Sequence, residues 1–203
     1  MAVHPTGRVG AVIVAAGESR RMRGVDKVFA PLLRRPLIAH TVQAFEACPQ
    51  VDAVVLVLAA ASLERGRALA ARQRWRKVRA LCPGGGRRQD SVRLGLEALG
   101  PCQWVVVHDG ARPLVTPDLI AEGLEAARET GAAVAAIPVK DTVKVVGPDG
   151  AVQHTLPRDT LWAAQTPQVF RGDLLREAHR RVREDVTDDA AMVERLGYPV
   201  RVF

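Results

Sequence analysis

Aromatic side chains are scarce in this 203-residue chain, at 4% of positions, and cysteine occurs only three times. Without aromatics interleaved among its basic residues, the chain lacks the stacking platform of a single-strand nucleic-acid binder. It also carries no zinc-finger or RNP-type motif. Cys48, Cys82 and Cys102 are odd in number, far apart and without histidine at metal-ligand spacing. That argues against a disulfide framework or a zinc site and suits a reducing compartment. Long hydrophobic runs are absent too: the longest, from Ala53 to Ala61, is far short of a bilayer span. The opening MAVHPTGRV has no apolar stretch of signal-peptide length. These absences lead us to expect a soluble, cytoplasmic protein with neither a membrane nor a nucleic-acid partner.

What is present is a hydrophobic content of 48%, dominated by Ala, Val and Leu, and a net charge of +7. The first is ample for a core and excludes a disordered tail; the length suits a single domain spanning 1–203. The positive charge points to an anionic partner. Arginines concentrate at 20–23, 72–79 and 176–183. The latter two stretches read as solvated helix faces, and a basic surface serving small phosphorylated ligands accounts for the charge.

Residues 9–14 form a continuous apolar, β-branched run, the pattern of a strand buried on both faces, and similar runs follow at 53–58, 104–107 and 132–137. Amphipathic stretches of helical period lie between them at 36–47, 62–73, 90–99 and 117–130, the last opened by Thr116 as N-cap and Pro117 at the first helical position. Strand alternating with helix predicts an α/β, Rossmann-like fold with a mostly parallel, doubly wound sheet. The pattern breaks at 140–155, where alternating residues flank Gly147-Pro148-Asp149-Gly150. This reads as a projecting β-arm over 138–157, and because an isolated hairpin is marginal in water it is expected to dock on a second subunit. Helices at 173–183 and 188–196 and a strand at 199–203 complete the chain.

Four groups of residues carry chemistry. Directly after the first strand, Ala15-Ala16-Gly17-Glu18-Ser19-Arg20-Arg21-Met22 is followed by Lys27. Small residues let backbone N–H groups close around phosphates, and Arg and Lys oppose the polyphosphate charge. No Gly-Lys-Ser/Thr closes this loop, so it is not a P-loop. Next, Pro83-Gly84-Gly85-Gly86-Arg87-Arg88-Gln89-Asp90-Ser91 leads into a helix. Its glycines allow close backbone approach to a ligand and Ser91 is placed to contact a base or ribose, while Asp90 or Ser91 equally suits a helix N-cap. Third, Asp109 in His108-Asp109-Gly110-Ala111-Arg112 ends a buried strand, where a carboxylate can hold Mg²⁺ and Arg112 can clamp an anion; His108 reads as structural. Last, Asp141-Thr142, Arg158, Thr166-Pro167-Gln168 and Thr187-Asp188 supply the hydroxyls and one arginine suited to a phosphorylated polyol.

Taken in order, AAGESRRM with Lys27, GGGRRQDSV, VVHDGARP and the late group DTVK, PRDTLWAAQTPQVF and VTDDAAMVERLGYPV resemble the 2-C-methyl-D-erythritol 4-phosphate cytidylyltransferases of the non-mevalonate isoprenoid pathway. The resemblance runs from Val9 to Phe203. It implies a Mg²⁺-dependent homodimer in which the substrate's own phosphate oxygen attacks the α-phosphorus of CTP and pyrophosphate leaves. By the same resemblance, Ala15, Ala16, Gly17, Ser19, Arg21 and Lys27 line the triphosphate, and Arg21 and Lys27 stabilise the pentacoordinate phosphorus. Gly85, Gly86 and Ser91 then recognise the cytidine, with Asp109 near the metal and Gly110 beside it. Arg112, Thr166 and Thr187 resemble contacts to the polyol phosphate, and Thr142 and the catalytic Arg158 contacts delivered from a neighbouring subunit's arm.

The chain departs from the family at Ser19 and at Gly110, where Gly and Ala respectively are usual. Gly86 stands where Asp is common, and Asp26 where Pro often precedes Lys27. Family members also continue past the last strand through a segment whose Lys contacts the phosphates; the chain as given ends at Phe203, and on that ground is expected to be less active and less stable than a complete member. The rival readings are a ribitol-5-phosphate cytidylyltransferase, which shares the loops, a nucleotide-binding relative without turnover, and a nucleic-acid-binding module suggested by charge alone.

Overall fold

The computed structural model describes residues 7–17 and 26–203. The first strand, β1 (Val9–Ala15), is buried along nearly its whole length. It pairs in parallel with β4 (Ala53–Leu58) on one side and β6 (Trp104–Asp109) on the other. Two short strands, β2 (Pro31–Leu32) and β3 (Arg35–Pro36), form a hairpin between β1 and β4 in sequence. Outward from β4 lies β5 (Val78–Pro83). On the other side β10 (Trp162–Arg171) runs antiparallel to β6 and to β7 (Ala132–Pro138), and β11 (Arg201–Val202) adds parallel to β7. The described residues thus build a seven-stranded sheet in the order β11-β7-β10-β6-β1-β4-β5, mostly parallel as expected.

Alternation along β1 divides the core. Val9, Ala11 and Ile13 pack with Ile38, Val42 and Phe45 of α1 (Leu37–Ala47), Leu69 of α2 (Leu63–Gln73) and Ile120 and Leu124 of α4 (Pro117–Thr130). Val12, on the opposite face, packs with Val92 and Leu96 of α3 (Arg88–Leu99), Leu174 and Leu175 of α5 (Gly172–Arg181) and Met192 of α6 (Asp189–Arg195). The period of two along the strand and 3.6 along each helix is what sorts these side chains into two layers.

Two expectations need correction. Residues 72–79 are not a helix face: α2 ends at Gln73, Arg74 turns into the left-handed region at φ 54°, and the chain enters β5. Glu46 ties down that exit by accepting the backbone N–H groups of Arg76, Lys77 and Val78 at 2.9, 2.7 and 3.2 Å. The glycine-loop helix begins at Arg88 rather than at residue 90, because Arg87 occupies the N-cap position and the Asp90 carboxylate reaches back to accept its backbone N–H at 3.2 Å. The hairpin expected around Gly147–Gly150 is present as β8 (Lys144–Val146) and β9 (Val152–Thr155), a separate two-stranded sheet.

The β2–β3 hairpin turns through Leu33 and Arg34, both at positive φ, 48° and 65°. Such a two-residue turn favours Asn-Gly because side chains with a Cβ are strained there, and Leu33 is 84% exposed, so no burial offsets the strain. Replacing the pair (Leu33→Asn with Arg34→Gly) should raise unfolding stability by about 1–2 kcal/mol. Urea denaturation checks this, and an unchanged or lower midpoint would contradict it.

Candidate active site

Connections leave β1 and β6 in opposite directions, so the crevice between their carboxyl ends is a topological switch point, where open α/β sheets bind ligands. A cleft of about 970 Å³ opens there. Its walls come from the turn after β1 (Ala15, Ala16, Gly17), the 3₁₀ turn carrying Lys27, the glycine loop from Gly84 to Arg88 with Ser91, and the segment from Asp109 to Arg112. Among the described residues, Lys27, Arg87, Arg88 and Arg112 line it against a single carboxylate, Asp109. A cleft with that balance of charge attracts a polyanion.

Local structure places each group. Asp26 accepts the Val28 N–H at 3.3 Å and the Ser62 hydroxyl at 2.7 Å, while Val28 and Phe29 are buried, so the turn bearing Lys27 is held at both its cap and its apolar side. In the glycine loop Gly84 donates its N–H to the Leu58 carbonyl at 2.9 Å. The buried Ser91 hydroxyl accepts from Gly85 N–H at 3.1 Å and donates to the Arg87 carbonyl at 3.2 Å. Ser91 thereby staples the loop and leaves the α3 N-terminus open towards the cleft, a favourable place for an anion. Arg87 grips Asp90 through two N–H groups at 2.9 and 3.0 Å, which holds the Asp90 carboxyl below its ordinary range.

Asp109 sits at the centre of a charged relay. Its Oδ1 accepts from Arg88 Nε and its Oδ2 from Arg112 Nε, each at 3.2 Å, and its backbone N–H donates to the Thr166 hydroxyl at 3.2 Å. Arg88 also donates through Nη1 to Asp189 Oδ2 at 2.6 Å, and His179 Nε2 lies 3.1 Å from the other Asp189 oxygen. Burial alone would push the Asp189 carboxyl up; the hydrogen bond from His179 and the charge of Arg88 outweigh it and hold it below the carboxylate range. Burial of His108 takes its pKa down to about 4 despite the bond between its Nε2 and the Arg112 carbonyl at 3.1 Å, so at neutral pH it is an uncharged prop beneath Arg112 and no proton donor.

Of the residues singled out in the sequence, Ala15, Ala16, Gly17, Lys27, Gly85, Gly86, Ser91, Asp109 and Arg112 meet in this cleft. Gly110 lies buried beneath it, its N–H on the Val14 carbonyl at 2.7 Å. Thr166 touches Asp109 from behind and faces an adjoining cavity of about 380 Å³ shared with Arg112. Thr142, Arg158 and Thr187 are exposed and do not line the cleft of this chain. Ser19 and Arg21 lie outside the described residues. Arg88, Asp189 and His179 were not singled out; the paired arginines Arg87-Arg88 were the one sequence signal, without any sign of which arginine turns inward. No three His, Cys, Asp or Glu side chains cluster as a metal cage among the described residues. The Asp109 carboxylate by itself fits Mg²⁺, which takes one or two carboxylates and completes its shell with phosphate oxygens and water.

The two loops meet where Gly84 faces Ala16, and a Cβ at Gly84 would collide with the Ala16 Cβ and lie 2.8 Å from Ser91 Oγ. At Gly86 nothing lies within 4 Å of such a Cβ. Gly84→Ala should therefore cost about 1–3 kcal/mol through overpacking, whereas Gly86→Ala should stay within about 0.5 kcal/mol of the parent. Equal denaturation midpoints for the two variants would contradict this packing.

With the geometry in view, comparison with known proteins is specific. Residues 9–203 match the family described as IspD, 2-C-methyl-D-erythritol 4-phosphate cytidylyltransferase. The chain is 54% identical over 196 residues to the 2-C-methyl-D-erythritol 4-phosphate cytidylyltransferase of Dehalococcoides mccartyi strain CBDB1, covering 97% of this chain and 86% of that one. Its fold is similar to the crystal structure of 4-diphosphocytidyl-2C-methyl-D-erythritol synthase from Anaerococcus prevotii DSM 20548, at TM-score 0.85 and 26% identity over 97% and 88% of the two chains. The 2-C-methyl-D-erythritol 4-phosphate cytidylyltransferase of Thermus thermophilus superposes at TM-score 0.75 with 35% identity over 95% and 86%. The chain belongs to the IspD family of 2-C-methyl-D-erythritol 4-phosphate cytidylyltransferases.

Proposed function

We propose that this chain transfers CMP from CTP to 2-C-methyl-D-erythritol 4-phosphate and releases pyrophosphate, as a Mg²⁺-dependent homodimer in the cytoplasm. The observation that carries the reading is the cationic cleft at the switch point, in which two loops of small residues converge on Asp109. Backbone N–H groups of the Ala15–Gly17 turn and of the glycine loop cradle the nucleotide, with Gly85, Gly86 and Ser91 on its cytidine side. Lys27, joined by Arg21, opposes the charge that builds on the α-phosphorus during in-line attack. The attacking phosphate oxygen is already anionic, so no general base is needed, and rate comes from positioning and charge neutralisation. Asp109 would hold Mg²⁺, whose chemistry is to neutralise the triphosphate and the leaving pyrophosphate. Arg112 and Thr166 orient the acceptor phosphate, and Thr187, which lies outside the cleft lining of this chain, is a further proposed contact to it.

Thr142 and Arg158 act in this scheme on the partner's cleft. Supporting that, the arm and its base expose Ile137, Val146, Val152 and Trp162 as large hydrophobics, and Arg158, itself exposed, is braced by donating to the Lys140 carbonyl at 3.2 Å. Residues 138–157 are thus the proposed dimerisation element of one nucleotidyltransferase domain. No helix among the described residues is long and apolar enough to cross a membrane.

Pyrophosphate release from CTP with Mg²⁺, measured with methylerythritol phosphate and ribitol phosphate in parallel, tests the assignment. Turnover with the first is expected, and selective turnover with ribitol phosphate would overturn it. Lys27→Ala should fold normally and lose on the order of 10²–10³ in rate; near-parent turnover would remove Lys27 from the reacting centre.

A further inference from the structure

Asp109 is held by two arginines that are not equivalent. Arg112 has a side chain 43% exposed, lies three residues along the same loop, and among the described residues also donates to the side chain of Gln165. Arg88 is 29% exposed and stretches between Asp109 and Asp189, whose side chain is 1% exposed and backed by the buried His179. An arginine anchored to a buried carboxylate keeps its place when a ligand arrives, because releasing it would leave that charge unpaired. An exposed loop arginine is free to turn to an incoming phosphate.

We infer that Arg88 is the positioning residue of this site. Fixed from behind by Asp189 and His179, it pins Asp109 through Oδ1, so that the Oδ2 released when Arg112 turns to a substrate phosphate is presented to the cleft. The guanidinium is suited to this because its rigid fork spans two carboxylates at once, from Nε to Asp109 and from Nη1 to Asp189. A lysine ammonium can satisfy one of them and leaves the other to drift. The relay also joins four elements: the start of α3, the end of β6, the start of α6 and, through His179, α5. This role rests on the magnesium reading of Asp109.

Three proteins decide it: the parent chain, Arg88→Lys, and the double variant Arg88→Met with Asp189→Asn, which removes the buried charge together with its partner and keeps an oxygen for the buried His179. CTP binding is measured by calorimetry with and without Mg²⁺, alongside melting temperature, kcat and the Mg²⁺ concentration for half-maximal rate. Arg88→Lys keeps the cleft cation and should bind CTP alone within a few-fold of the parent, while the double variant, with one cation fewer in the cleft, should bind it more weakly. Both should lose most of the affinity that Mg²⁺ adds, and need about 10–100-fold more Mg²⁺ for half-maximal rate. The double variant should do so while melting close to the parent, an outcome a purely structural role would not produce. Parent-like Mg²⁺ dependence in a folded variant overturns the role of Arg88 and leaves the functional reading intact. A parent chain whose CTP affinity is indifferent to Mg²⁺ overturns the reading of Asp109 and the role of Arg88 with it.

Discussion

The parallel pairing of β1 with β4 and β6, continued from β4 to β5, decides where the cleft-lining loops arrive. Register pairs Ala15 with Leu58 and Val14 with Asp109, so the three strands end level with one another at one edge of the sheet. The turn after β1, the loop after β5 and the loop after β6 then leave the core side by side. Their side chains and backbone N–H groups converge without any of these segments being long. A parallel strand buried on both faces tolerates neither a polar interruption nor a slipped register, since a shift of one residue would exchange its two faces. The site inherits its rigidity from that intolerance.

Charge in the cleft is managed from below. The cations line the cleft, and two of them are held by carboxylates outside its lining: Arg87 by Asp90 in the first turn of α3 and Arg88 by the buried Asp189 at the start of α6. His108, uncharged at neutral pH, props the Arg112 carbonyl from the core. The cleft therefore carries positive charge whose bearers are fixed by partners within the fold, the preorganised electrostatics that phosphate chemistry exploits.

Much of this was legible in the residues. The strand at 53–58 and the helix at 117–130 coincide with β4 and α4, because an uninterrupted β-branched run and a Thr-Pro start are strong local signals. Besides the short β2 and β3, two strands of the central sheet were not foreseen. β5 is a half-buried edge strand of mixed sequence, and β10 contains Pro167 and shifts register between Ala164 and Gln168, features that suppress a strand signal. Of the site, the glycine loop, Lys27 and Asp109 stood out because small residues and charges at strand ends are recognisable locally. The Arg88–Asp189–His179 relay did not. Its partners lie 21 and 101 residues from Arg88, and no local pattern tells which of two adjacent arginines turns inward.

Hydrogen–deuterium exchange of the full chain, with and without CTP and Mg²⁺, bears on the whole construction. Nucleotide should slow exchange at 15–17, 84–91 and 109–112 together, three segments distant in sequence and adjacent only if the strands end as described. Slowing confined to another surface, such as the basic groove formed by Arg93, Arg180 and Arg183 between α3 and α5, would contradict the placement of the site.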